Sequence, residues 1–514
     1  MAGSVDLQDN SLTARNSLLG SILTLQDSSP QTGSVPAQSV AKPGPVIALL
    51  VVSAFVVILN ETTMGVALTD IMKDLGITAG VGQWLTTGFL LTMAVVIPLT
   101  GFLLSRFTIR QVYFSAMGLF ALGTLVAALA PGFEVLLAGR VVQALGTGVM
   151  MPLLFTTVLT IVPASHRGRM MGVITIVIAV APAVGPTVSG LILQALTWHA
   201  IFWIMFPIAL LAIGLGLIWV RNVTETNPHA RFDVLSVVLS ALGFGGLIYG
   251  LSSIGEAASG HAPIPVWIPI VVGAVSLTVF VLRQLQLQKV NGALLDLRVF
   301  QSKSFSLAVG LVVIVMSALF GSLILLPIYL QQVLGLDTLG VGLMLLPGGV
   351  LMGAIAPVVG NLFDKFGPTP LVIPGMVIAA GALWGMATFD QSTSIAWIIA
   401  VHLALNLGLG FVFTPLMTSA LGSLPSHLYP HGSAVVGTVQ QVAGAAGTAL
   451  FVTLMSVTLA SSLSAGADQV TATANGVHTA FFVGAIVASG AVLLALFVRK
   501  PAEPAQGEGI PAVH

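Results

Sequence analysis

"GFLLSRFTIRQVY" (residues 101–113) is echoed later in the chain by "GNLFDKFGPTPLV" (360–372). Gly101 matches Gly360, Arg106 matches Lys365 and Phe107 matches Phe366. Each copy is a short basic interruption between two long apolar stretches, and each follows the second such stretch of its half of the chain. A repeat at corresponding points implies two equivalent halves, a plan that encloses a site near the middle of a bilayer.

The composition agrees. Charged residues make up 7% of the 514 positions and hydrophobic ones 56%, against about 25% charged in a soluble domain. Mean hydropathy is +1.04. So few charges cannot cover a water-exposed surface of this size, so lipid is the solvent. Lys plus Arg and Asp plus Glu are equal at 17 each, and there is no cysteine. The balance suggests no nucleic-acid partner, and thiol catalysis, disulfides and Cys-based metal sites are excluded.

Fourteen stretches are long enough to cross the hydrocarbon as helices: about 46–69, 83–104, 109–130, 135–162, 169–196, 200–220, 233–254, 265–286, 305–333, 339–362, 368–388, 395–421, 432–463 and 478–499. Helices are expected because each satisfies its own backbone, and the alternation of a membrane β-barrel is absent. The organisation expected is a disordered cytoplasmic tail (1–45), a six-helix bundle (46–220), two inserted helices with linkers (221–304), a second six-helix bundle (305–499) and a polar tail (500–514). With the N-terminus inside, 15 of the 17 Lys and Arg fall in cytoplasmic segments; only Lys73 falls outside and Arg140 within a span. The positive-inside rule therefore places both termini in the cytoplasm.

Several segments resemble the major facilitator superfamily, within it the fourteen-span drug:proton antiporters. The 101–113 loop resembles the superfamily's signature loop. "LLAGRVVQALGTG" (136–148) resembles its span 4 motif, with Arg140, Gln143 and Gly146 kept. "APAVGPTVSG" (181–190) resembles the antiporter motif of span 5, with Gly185, Pro186 and Gly190 kept, and "LLDLRVF" (294–300) is familiar before span 9. "LNETTMGVAL" and "RFTIRQ" are most similar to the lincomycin-resistance type of multidrug exporter. The resemblance implies a major facilitator fold of two six-helix bundles plus two inserted helices, in a bacterial plasma membrane. It implies gating roles for Arg106, Arg110, Asp364, Lys365, Gly185, Pro186 and Gly190. The chain departs from the pattern where Ser105 replaces the usual Asp, Ala144 replaces a Gly, and Asn60 stands where the branch has Asp, with the acid moved to Glu61.

Glu61 and Arg140 are the only fixed charges deep in any span. Glu61 precedes Asp70 by about 13 Å of helical rise and Arg140 follows Glu134 by about 9 Å, which puts both in the outer half. One reading is a buried ion pair that fixes span 1 against span 4. The other is a proton carrier whose affinity for the proton changes as the Arg approaches and withdraws. Asn60, Met64, Gln143, Asn406 and Gln440 are candidates for substrate contact, though amides within spans equally serve helix–helix hydrogen bonds. His402 is read as a packed polar residue with a relay role as the alternative. "SHLYPHG" (426–432) is read as a loop.

No Walker A sequence occurs, so ATP is not the direct fuel, and no hydrolase motif marks an enzyme. No cofactor and no metal site is expected. The function expected is proton-coupled export of bulky, partly apolar drugs by a monomer, with endogenous lipids or metabolites as the alternative cargo. A non-transporting receptor or scaffold is the remote alternative, disfavoured by the deep ionisable pair and the lack of a large soluble domain.

Overall fold

The structure is a computed structural model that describes residues 43–222, 232–254, 264–290 and 292–499. Most of both expected tails, with Arg15, Lys42, Arg231 and Lys500, lies outside the described residues. Fourteen long apolar helices follow one another: α1 (Pro43–Leu75), α2 (Ala79–Arg106), α3 (Ile109–Ala128), α4 (Phe133–Ile161), α5 (Arg167–Ala195), α6 (His199–Trp219), α7 (Val234–Ser252), α8 (Trp267–Leu287), α9 (Lys303–Gln332), α10 (Thr338–Phe366), α11 (Thr369–Met386), α12 (Ile395–Gly422), α13 (Tyr429–Ser464) and α14 (Gln469–Ala495). All fourteen expected spans are present, and no strand occurs among the described residues.

Several helix ends lie a few residues from the sequence reading, and three of them have an evident local cause. Helix α1 continues past residue 69 through Asp70, Lys73 and Asp74, and stops where Gly76 takes a positive φ of 62°. Helix α13 begins at Tyr429, with a proline in its first turn, so "SHLYPHG" is a single 3₁₀ turn leading into a helix rather than a loop. Proline at that position loses no hydrogen bond and presets φ. Helix α14 starts at Gln469, not 478, because Asp468 caps it by accepting from the N–H groups of Val470 and Thr471. Hydropathy misses such helix starts because their residues are polar.

The packing repeats between halves. In the first half α1 packs on α4, α5 and α6, α2 on α4, and α3 on α4 and α6; in the second α9 packs on α12, α13 and α14, α10 on α12, and α11 on α12 and α14. The halves meet along two seams related by the same repeat, α5 against α10 and α2 against α13. The inserted helices α7 and α8 pack on each other, and α7 lies along both α2 and α13. Only one of the two seams is therefore backed by the hairpin.

Glycines set the close approaches. A methyl at Gly172 of α5 would run into the Ala356 carbonyl of α10, and one at Gly360 into the Gly168 carbonyl. Of the described Lys and Arg in the connections and helix ends, only Lys73 lies at the end of the bundle away from the 101–113 and 360–372 loops. We refer to the loop-bearing end as the basic end.

Candidate functional site

Helix α1 is continuous from Asn60 through Asp70, so its two neighbouring polar residues, about 100° apart, face different surroundings. Asn60 lies on the fully buried stripe with Val57, Met64, Ala67 and Ile71. Met64 belongs to an apolar cluster with Leu85, Leu136 and Trp198, inside the first half. Asn60 is 0% exposed, and neither atom of its amide has a partner among the described residues. An unpaired buried amide is costly, about 1–3 kcal/mol.

Glu61, half-buried, lies within electrostatic reach of Arg140 but forms no contact ion pair with it. Arg140 is engaged elsewhere. Its Nη1 donates to Gln143 Oε1 at 3.1 Å, and its guanidinium sits 4.0 Å from the centroid of the Phe89 ring on α2. Its Nε has no acceptor among the described residues. Gln143 in turn donates to Thr124 Oγ1 on α3 at 2.8 Å. The cation is thus stabilised by a ring face and one amide, and a donor remains unused on a group that feels the Glu61 carboxylate. Neither Phe89 nor Thr124 is singled out by the sequence; only the fold puts them beside span 4.

Phe89 leads toward the other half. It clusters with Met93, Ile97 and Ala144, and Gln441 of α13 points its Nε2 at Met93 Sδ, 3.8 Å away. Gln440 points instead at Met417 Sδ of α12. On α12, Asn406 donates to the His402 carbonyl at 2.9 Å, and His402 Nε2 lies 3.2 Å from the Leu345 carbonyl of α10. Arg140 and Gln143 are therefore brought together with Glu61 nearby, whereas Asn406 and Gln440 lie in the second half and Asn60 and Met64 face the interior of the first.

The repeat reveals a correspondence that sequence matching does not. A methyl at Gly148 of α4 would sit 3.2 Å from Val96 of α2; one at Gly410 of α12 would sit 2.8 Å from Ile355 of α10. Arg140 and His402 each stand eight residues before those glycines. They pack against equivalent points, Phe89 and Gly348. His402 is thus the second half's counterpart of Arg140.

At the basic end the halves are tied together. Asp364 of α10 accepts from the backbone N–H groups of Gly168 (2.8 Å) and Arg169 (3.0 Å), in the first turn of α5. Those amides have no partner within their own helix, and a carboxylate there also meets the positive end of the helix dipole. Thr156 donates to Ser433 at 3.2 Å, Thr175 pairs with Thr414 at 2.8 Å, and Arg167 lies over the Tyr429 ring. Ser105, at the place equivalent to Asp364, bonds among the described residues only to carbonyls of its own helix, those of Gly101 and Phe102. Arg110 rests on Phe114, while Arg106 and Lys365 form no ion pair among the described residues. In the 181–190 motif, a methyl at Gly185 would collide with Thr62 of α1, but Gly190 has open space.

The sequence profile of the Major Facilitator Superfamily matches residues 50–448. The chain belongs to the major facilitator superfamily. It is 43% identical over 465 residues to a protein of Listeria monocytogenes named lincomycin resistance protein LmrB, covering 89% of this chain and 97% of the relative. The protein of the same name in Bacillus subtilis is 43% identical over 462 residues, covering 89% and 96%. A Mycobacterium tuberculosis protein named multidrug resistance protein B homolog is 30% identical over 400 residues, covering 77% and 73%. Two solved structures share the fold at 14% identity. They are the human organic anion transporter MFSD10 (TM-score 0.60, covering 88% of this chain and 100% of that one) and the proton:xylose symporter XylE (TM-score 0.59, covering 89% and 96%). The likeness to lincomycin-resistance exporters expected from the span 1 and loop motifs is borne out.

Proposed function

We propose that this chain is a proton-coupled exporter of bulky, partly apolar drugs, lying in the plasma membrane of a bacterium as a monomer with both termini in the cytoplasm. The observation that carries the coupling is the Glu61–Arg140 relationship. A carboxylate inside the membrane lies within reach of a buried cation that is held by Phe89 and Gln143 rather than by direct pairing. The basic end, read as cytoplasmic, is closed by Asp364, Thr156, Thr175 and their partners. In this conformation Glu61 takes its proton from the outer side.

When the halves rock and the α2–α13 seam parts at the basic end, Gln441 leaves Met93, and the Met93–Phe89 support of Arg140 is lost on one side. Arg140 is then free to turn its unused Nε toward Glu61, which favours release of the proton to the cytoplasm. One proton driven by 100 mV supplies about 2.3 kcal/mol. That is enough for roughly a fifty-fold gradient of a neutral compound at about 1.4 kcal/mol per tenfold.

The test uses proteoliposomes with an imposed proton gradient and a panel of drugs that includes lincomycin. Drug should move against its gradient as protons move the other way, and a protonophore should abolish both. Drug movement that ignores the proton gradient would overturn the coupling.

A further inference from the structure

The repeat leaves one closure unaccounted for. Asp364 clamps the first turn of α5, but its counterpart Ser105 offers nothing to the first turn of α13. That place is occupied by a segment from outside the repeat. Residues 294–300 run from the inserted hairpin to α9, and Leu294, Leu295, Asp296 and Val299 are all buried. The backbone N–H of Asp296 donates to His431 Nδ1, in the first turn of α13, at 3.3 Å. A methyl on Gly101 of α2 would lie 2.8 Å from the same Nδ1 and 3.4 Å from the Leu294 carbonyl. The segment therefore touches both sides of the α2–α13 seam at one point.

It is also anchored. Gln284 of α8 is fully buried, and its Oε1 accepts from the N–H groups of Leu294 (2.8 Å) and Leu295 (3.2 Å). Its Nε2 donates to Ser236 of α7 at 2.7 Å. Asp233 and Arg283, bridged at 2.7 Å, brace the same end of the hairpin. The Asp296 carboxylate receives Arg298, which fixes the turn that follows.

We propose that segment 294–300, held by Gln284 and seated between Gly101 and His431, is the latch that keeps the α2–α13 seam closed at the basic end. The inserted pair α7–α8 is its anchor, and Gln284 and His431 are positioning residues. The inference rests on the transport reading for its purpose, but not for its test. The latch closes the seam at the place where Ser105 makes no carboxylate clamp. Opening the basic end requires the segment to leave either Gly101 or His431.

The experiment uses the cysteine-free full chain in lipid nanodiscs, with one cysteine introduced as Ser433→Cys. Ser433 is fully buried two residues beyond His431, facing Thr156 of α4 across the halves. Labelling by a water-soluble maleimide, without drug or proton gradient, reports opening of the basic end. Gln284→Leu removes the acceptor for both strap amides and should raise the labelling rate at least several-fold. Gln284→Glu keeps that acceptor and, in its protonated form, a donor for Ser236, so at about pH 6 it should label like the parent at the same pH. His431→Leu, which frees the other end of the segment, should raise labelling as Gln284→Leu does, and it replaces that variant if the latter fails to fold. Unchanged labelling in a folded Gln284→Leu or His431→Leu protein would overturn the proposal. So would equal increases in Gln284→Leu and Gln284→Glu, which would indicate general loosening. None of these outcomes depends on whether the protein moves drugs.

Discussion

The guanidinium of Arg140 lies 4.0 Å from the centre of the Phe89 ring and donates to Gln143, while the Glu61 carboxylate stands nearby without touching it. A buried cation is costly unless it is paired or faces polar groups. Here a ring, worth about 0.5–2 kcal/mol, and one amide share that task, so the carboxylate can change its protonation while the cation stays supported.

This separates two fates for the pair. Glu61→Gln keeps shape and hydrogen bonding but cannot titrate, so proton-driven efflux should fall to the level of empty vesicles while the protein remains folded. In the Glu61→Gln, Arg140→Gln double variant no charge is stranded. A purely structural pair would then recover both folding and active efflux, whereas a coupling pair recovers folding alone. Proton-driven efflux by the double variant would remove Glu61 from the mechanism.

Asp364 and Ser105 occupy equivalent places with unequal partners. Asp364→Ala strands the amide of buried Gly168, at about 1–3 kcal/mol for a buried unpaired group, and leaves that of exposed Arg169 to water. It should lower the thermal midpoint in detergent and impair transport. Asp364→Asn, which still accepts through its carbonyl oxygen, should do less damage. Ser105→Ala should leave both measurements near the parent, and equal effects from Ser105→Ala and Asp364→Ala would contradict the assignment.

The span 5 motif divides in the same manner. Gly185→Ala forces a methyl into Thr62 of α1, an overpacking of about 1–3 kcal/mol. It should reduce thermal stability and transport rate together. Gly190→Ala meets nothing within van der Waals range and should behave as the parent in both assays.

Asp233 carries a pH signature. The Arg283 hydrogen bond at the head of the inserted hairpin holds its carboxyl at about 2, below the ordinary value of 3.8. A depressed carboxylate stabilises the fold fully above its unfolded value and loses that contribution as pH falls through the folded one. The stability difference between the parent and Asp233→Asn should therefore be constant from neutral pH to about 5, then shrink between about 4 and 2. A difference that grows on acidification would reverse the sign.

Orientation is tested by single cysteines in intact cells. An impermeant thiol reagent should reach Asp337→Cys and Asp468→Cys, both at capped helix starts away from the basic end. It should not reach Lys303→Cys. The opposite pattern inverts the molecule in the membrane.

Much of this architecture is legible in the sequence because hydrocarbon leaves few options. A run of about 20 apolar residues must be a helix, and the 101–113 and 360–372 loops mark the repeat. The site is less legible, because a helix distributes neighbours around its circumference. Met64 looks available as a substrate contact, yet it points into the Leu85–Trp198 cluster. Asn60 and Glu61 are adjacent in sequence and face different environments. Arg140 depends on Phe89 and Thr124, which carry no charge pattern or motif that could announce them. The correspondence of Arg140 with His402 becomes visible only through the glycine contacts of α4 and α12. The strap at 294–300 reads as a linker because its partners, Gly101, Gln284 and His431, come from three separate stretches of chain.

Among the described residues, the hairpin of α7 and α8 covers the α2–α13 seam and leaves the α5–α10 seam without a similar cover. Leu191, Leu343, Val350 and Val358 on that second side are exposed. Acyl chains therefore press directly on one boundary between the halves and on a protein buffer at the other. Changes in bilayer thickness, which cost fractions of a kcal/mol per Å of mismatch, bear on the two boundaries unequally. Lipid composition thus becomes a one-sided influence on how readily the halves part.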